Sequence, residues 1–232
     1  MPLMKSLMED GRLSAVQNIQ GKTRYSKLAM KTSQTLVLNH FTDQQHSREA
    51  YVVEHQNIMR LATPSPKQTF ITFSDKMNGN ILGTITIRLI NASRRAKNFY
   101  LMCTGETGIS YVNTNVLTVM NMNCPSASVR LGDYEHNDMT GGKALITGAG
   151  TERGGILEQP WKSGTVTGDW LNWSDAVASQ FEICLGDKPD EVVNTTFGVV
   201  QDGLEDLTEA LRNHSDVRNI IISECGVVLT PL

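Results

Sequence analysis

A chain of 232 residues with 40% hydrophobic and 19% charged residues has room for one domain plus an extension, at ~100 to 200 residues per domain, and is too apolar to be disordered. Lys+Arg 21 against Asp+Glu 24 gives a net charge of -3, which excludes a chain built as a whole to bind a polyanion. The charge is uneven: nine Lys/Arg face five Asp/Glu over residues 1–67, and twelve face nineteen over 68–232. A basic extension precedes an acidic domain.

Residues 1–10 lack the apolar run of a signal peptide, and no window approaches the ~20 apolar residues of a membrane span. The expectation is an intracellular protein with no membrane partner. Cys103, Cys124, Cys184 and Cys225 stand far apart, with no Cys-x-x-Cys pair and no neighbouring histidine. Free buried thiols and no metal or other cofactor are therefore expected.

In chain order, residues 14–36 carry Lys22, Arg24, Lys27 and Lys31 among scattered apolar residues, a pattern that fits a helix or a loose arm. Thr42 and Gln45 fit a capping box, and Tyr51, His55, Ile58 and Ala62 recur at helical spacing, which predicts a helix over 43–62. Pro64 and Pro66 then mark a linker, so residues 1–67 read as a basic helical arm and 68–232 as the domain. The arm has too little apolar surface to fold alone. Only Tyr25 accompanies its charges, which argues against RNA and for a protein surface as its partner.

After the linker the period changes to two. Residues 69–73 and 84–89 flank Asn78-Gly79, a dipeptide that favours the positive φ of a tight hairpin turn. A helix follows with Ala96, Phe99, Tyr100 and Cys103 on one face and Gly105 placed to end it. Short β-rich runs come next at 116–122, 143–146, 164–167, 180–184 and 196–200. A second helix presents Leu204, Leu207 and Leu211, and a β pair at 219–222 and 226–229 completes the chain. Many short strands with two helices predict a mainly β fold, an antiparallel barrel with helical plugs.

The order Asn98-Phe99, Cys103-Thr104-Gly105-Glu106, Gly132-Asp133-Tyr134, Thr140-Gly141-Gly142, Ser179-Gln180-Phe181 and Phe197-Gly198 resembles the cyclophilin family over residues 68–230. The resemblance implies a closed eight-stranded antiparallel barrel with two capping helices, and peptidyl-prolyl cis/trans isomerase activity. That reaction twists an X-Pro amide over a barrier of ~18–20 kcal/mol. An apolar pocket holds the proline ring while a fixed guanidinium donates to the prolyl nitrogen.

The groove positions implied by the resemblance depart from that pattern. Thr118 stands where the family has its catalytic arginine, Arg130 where it has a glutamine, Glu182 where a phenylalanine lines the groove, and Asn194 where a histidine precedes Val-Phe-Gly. Gln180 is kept. Lys188-Pro189-Asp190-Glu191 replaces the tryptophan loop. A threonine carries no charge to aim at the nitrogen, and a carboxylate is costly to desolvate unless paired.

No catalytic residue is therefore assigned. The expectation is an inactive cyclophilin-like protein that serves as a structural or interaction component of a larger intracellular assembly, cytoskeletal or axonemal in one placement. It would contact protein partners through the arm and the barrel surface. The alternative is a weakly active isomerase using Arg130 and Gln180. Glu182 and Arg130 either remain solvated on an abandoned groove or form a salt bridge that recognises a polar peptide. His136 reads as a solvated loop residue, and Trp161, Trp170 and Trp173 as packing residues.

Overall fold

In the computed structural model of the chain, residues 6–8, 10, 12–31, 35–45, 50–62, 67–90, 92–152, 157–168 and 174–229 are described. The elements are β1 (Leu13–Ile19), β2 (Lys22–Met30), β3 (Leu36–Asn39), β4 (Tyr51–Glu54), α1 (His55–Ala62), β5 (Gln68–Asp75), β6 (Ile81–Leu89), α2 (Arg94–Thr104), β7 (Val116–Met120), β8 (Ser128–Leu131), β9 (Leu157–Trp161), β10 (Thr165–Gly168), β11 (Phe181–Cys184), β12 (Lys188–Asp202), α3 (Leu204–Asn213) and β13 (Ile220–Leu229). The fold is mainly β, as expected.

Asn78-Gly79 turns β5 into β6. Gly79 takes φ 73° and its N–H donates to Asp75 O at 2.8 Å, while the Asp75 carboxylate accepts the Met77 N–H at 2.7 Å. Helix α2 starts at Ser93, whose side chain accepts the Ala96 N–H, and ends at Gly105 in the left-handed region. Its buried face centres on Phe99, whose ring lies 5.0 Å from Phe181 and 5.1 Å from Phe197. Such edge and tilted contacts suit the aromatic quadrupole. Helix α3 buries Leu207, Ala210 and Leu211.

The strands form one sheet in the order β4-β1-β2-β3-β13-β5-β6-β12-β10-β11-β8-β7, with β9 paired to β12. All pairings are antiparallel except β1 with β4. The closed ring of eight strands is not the arrangement of this ladder, because the arm adds four strands and the sheet's ends are β4 and β7. The residues just before β7 nonetheless touch β13: Asn115 bridges Ile221, Asn113 N–H donates to Ile222 O at 2.8 Å, and Ile222 N–H donates to Thr114 O at 2.9 Å.

The N-terminal helical extension is corrected. Leu13–Ile19, Lys22–Met30 and Leu36–Asn39 are strands, and the helix expected over 43–62 is reduced to α1 behind β4, with 46–49 outside the described residues. The capping box does not form. Thr42 instead bridges Tyr25, and its hydroxyl donates to Gln44 O at 2.7 Å. A physical cause is visible in β13. Its bulge between Ile222 and Glu224 lets the first half face the segment before β7, while Gly226–Leu229 pairs with β3. The arm gains strand geometry from that edge, which local composition does not encode. The β runs expected at 219–222 and 226–229 are one strand, Ile220–Leu229, with that bulge between them. The run at 143–146 is loop, and linker residues 63–66 lie outside the described residues.

Leu13, Ala15, Leu28, Leu38, Phe41 and Ile58 of the arm belong to the same buried cluster as Ile71, Phe73, Met102 and Val227. The four arm cations do not form one patch. Arg24 pairs with Asp43 at 3.3 Å, and the Lys31 ammonium sits 5.3 Å from the centre of the Phe70 ring.

Candidate functional site

Alternation along β8 and β11 divides their side chains cleanly. Val129, Leu131, Phe181 and Ile183 enter the main core, so Ser128, Arg130, Glu182 and Cys184 face the other side. Register then aligns polar residues across five strands. Thr118 opposes Arg130, Arg130 opposes Glu182, Glu182 opposes Thr167, and Thr167 opposes Thr196. Bulges at Val116/Thr118 and Val166/Thr167 supply the half-steps that complete this row.

From Arg130 to Thr196 the row is covered, and Thr118 at its end is half-buried. β12 extends well beyond residues 196–200: its first half, from Lys188, leaves the sheet's main path to pair with β9. This flap brings Trp161 and Val193 against Cys184. Glu182 is 1% exposed and Arg130 9%. Their Oε2 and Nη2 atoms are 3.7 Å apart. The reading of both as solvated residues on an abandoned groove is thereby overturned. In a poorly solvated site each charge offsets part of the other's desolvation cost.

A cleft of about 190 Å³ remains above the pair, lined by Met120, Asn121, Ser126, Ser128, Arg130, Trp161, Glu182, Lys188 and Glu191. Lys188 and Glu191 form a second ion pair at its rim. The Ser128 hydroxyl and the Trp161 indole N–H are buried and have no hydrogen-bond partner among the described residues. Burial, with the Glu182 and Glu191 carboxylates adding to it, pushes the Cys184 thiol up to about 12. A raised pKa leaves less of the thiolate, the nucleophilic form, at neutral pH. Two larger depressions flank α3, lined largely by side chains such as Glu205, Asp206 and Arg212, and among the described residues they show no buried polar atom without a partner.

Gln180 is buried, and its amide donates to Met139 O at 2.9 Å and Gly141 O at 2.7 Å. It braces a loop and is absent from the cleft lining. Asn194 lies in β12, with its side chain outside the described residues, as are Trp170 and Trp173. The next residue, Thr195, has φ 65°, unusual for a β-branched side chain; its hydroxyl lies 3.0 Å from that of Thr167.

His136 is exposed, with its ring nitrogen 3.0 Å from the Thr140 hydroxyl. Asp133 organises that loop. Burial opposes its ionisation, but N–H donors from His136, Gly141, Asp138 and Glu135 outweigh burial and hold the carboxyl below its usual range. Among the described residues no group of three or more His, Cys, Asp or Glu is placed to hold a metal, and no helix is long and apolar enough to cross a membrane.

Ser128, Thr167 and the flap around Trp161 were not legible as parts of one site, because register and the bend of β12 create it. A comparison of the chain with models of known protein families finds no match.

Proposed function

We propose that residues 68–230 form a divergent, non-catalytic cyclophilin-like domain that serves as an interaction component of an intracellular assembly. The observation that carries this reading is the cross-strand row of half-buried Thr118 and buried Arg130 and Glu182. Where an isomerase of that family presents an arginine to the prolyl nitrogen, this chain has a neutral hydroxyl. Its nearby guanidinium already faces a carboxylate. Losing one preorganised donor of this kind lowers rate by ~10²- to 10³-fold, and an ion pair under the flap makes a poor seat for a proline ring.

The barrel reading draws support from strand order. The run β13-β5-β6-β12-β10-β11-β8-β7 contains eight consecutive strands, and the Asn115–Ile221 bridge brings its two ends together. Reduced cysteines, with Cys103, Cys184 and Cys225 buried, suit a reducing compartment. Exposed Tyr51 and Val52 on the outermost strand β4 offer the arm's contact surface, since an open edge is a template for pairing with another chain.

A protease-coupled assay on a Pro-containing peptide tests the proposal. The expected result is isomerisation indistinguishable from the uncatalysed rate. Turnover near that of an ordinary cyclophilin, abolished by Arg130→Ala, would establish the isomerase alternative instead.

A further inference from the structure

The cleft between the β8–β11 face and the β9–β12 flap has an unusual set of walls. Its charged lining is balanced, Arg130 and Lys188 against Glu182 and Glu191. Two hydrogen-bonding groups in its lining that have no partner among the described residues are of different kinds. The Trp161 indole N–H can only donate, and the Ser128 hydroxyl can donate or accept. Ser128 is wholly buried and Trp161 is 8% exposed. Leaving such groups unpaired costs ~1–3 kcal/mol each, so an occupant that satisfies both is favoured over an empty or apolar one.

Each simple ligand class meets a specific obstacle here. An anion would approach the carboxylates of Glu182 and Glu191, and a cation would approach Arg130 and Lys188. A proline ring would leave the indole N–H and the hydroxyl unpaired. A neutral group with a strong acceptor and adjacent donors fits all the walls. Its carbonyl oxygen can take the indole N–H, and its N–H₂ can serve the hydroxyl and the carboxylate side of the Arg130–Glu182 pair. The volume of about 190 Å³ is below the ~300–1,000 Å³ of sites that enclose a whole small molecule, and suits one side chain of a polypeptide.

We infer that this cleft binds the primary carboxamide of an Asn or Gln side chain presented by a partner protein. The inference deepens the interaction role proposed above and rests on it only in treating the groove as non-catalytic. The flap supplies the selectivity: Trp161 comes from β9, and Lys188 and Glu191 come from the paired first half of β12. A carboxamide that satisfies buried donors discriminates strongly against isosteres unable to do so, because the wrong ligand leaves those groups desolvated and unpaired.

The indole N–H resonance of Trp161, assigned by its loss in Trp161→Phe, is a direct reporter in the intact chain. Capped tripeptides Ac-Gly-X-Gly-NHMe with X as Gln, Asn, Glu, Lys, Pro or Leu are titrated against it. The expected result is a saturable shift with Gln or Asn alone, weakened about two- to tenfold by Ser128→Ala. Equal shifts with Pro or Leu would overturn the inference, as would shifts with Glu or Lys alone. So would the absence of any shift, which would leave a cleft filled by water only. Ser128→Ala is a small buried change, and retention of the remaining amide spectrum shows that it folds. The isomerase assay is read separately: an inactive protein that ignores all six peptides refutes this inference and leaves the non-catalytic reading standing.

Discussion

Arg130 and Glu182 decide how the cleft behaves, because Glu182 is almost wholly buried and Arg130 is only slightly exposed, so water offsets little of the loss of either partner. Removing one member of a buried pair commonly costs ~3–5 kcal/mol, whereas replacing both with apolar residues of similar volume is often neutral or stabilising. Arg130→Ala and Glu182→Ala should therefore each destabilise the protein by about that amount in equilibrium urea unfolding. The double variant Arg130→Met with Glu182→Met should recover most of the loss, with strong non-additivity. Single variants within ~0.5 kcal/mol of the parent would mean that the carboxylate and the guanidinium are hydrated after all. The individual residue types at this site, Thr118, Arg130 and Glu182 among them, were readable from the sequence. Their burial was not. Exposure of Glu182 depends on a flap whose β9 strand contains Pro160 and has no clear alternation, and the polar row depends on two bulges that shift strand phase by less than one residue pair.

Elements with strong local codes formed where their residues predict them. The β5–β6 hairpin has its glycine at positive φ, and α2 has both a Ser93 cap and a Gly105 stop. Elements whose conformation is imposed by distant partners did not announce themselves. β2 carries Lys22, Arg24 and Lys27 yet becomes a strand because β1 and β3 pair on its two sides. β3 in turn exists through its contact with the second half of β13. Gly226 is where that contact is closest: a Cβ there would lie 2.1 Å from Leu38 O and 2.8 Å from the Phe70 ring. Backbone cannot yield as a flexible side chain can, so Gly226→Ala should push β3 away from β13. The predicted signature is loss of hydrogen-exchange protection at the β3 amides and destabilisation of ~1–3 kcal/mol, with protection of β5 and β6 retained. Unchanged β3 protection would show that the arm's attachment tolerates a wider strand spacing.

At the scale of the whole molecule the question is whether the arm is an appendage or part of the fold. Its sequence, basic and poor in apolar residues, describes something detachable that leaves an intact domain behind when removed. The structure weighs against that separation through two independent contacts. The first is the ladder: Gly226–Leu229 pairs with β3, and the chain continues with His40 N–H donating to Cys225 O and Phe41 N–H donating to Thr104 O at 2.7 Å. The second is burial, since Leu13, Leu28, Leu38, Phe41 and Ile58 are all at most 7% exposed within the common core. At ~1.5–3 kcal/mol for each fully buried apolar side chain, even part of that contribution rivals the ~5–15 kcal/mol by which a domain is stable. Truncation would also bare the edge of β13 beside Val227 and Leu229, an unpaired apolar strand of the kind that recruits other chains. Deleting residues 1–62 is therefore predicted to yield a protein that binds the dye ANS, melts well below the full chain and elutes as soluble aggregate on size exclusion. Adding residues 1–62 back as a separate polypeptide should restore part of the lost stability, because the ladder contacts do not require a covalent link. A truncated chain that stayed monomeric, excluded ANS and kept the parent's melting temperature would show that the arm is an appendage, and that its buried residues contribute nothing the rest of the sheet needs.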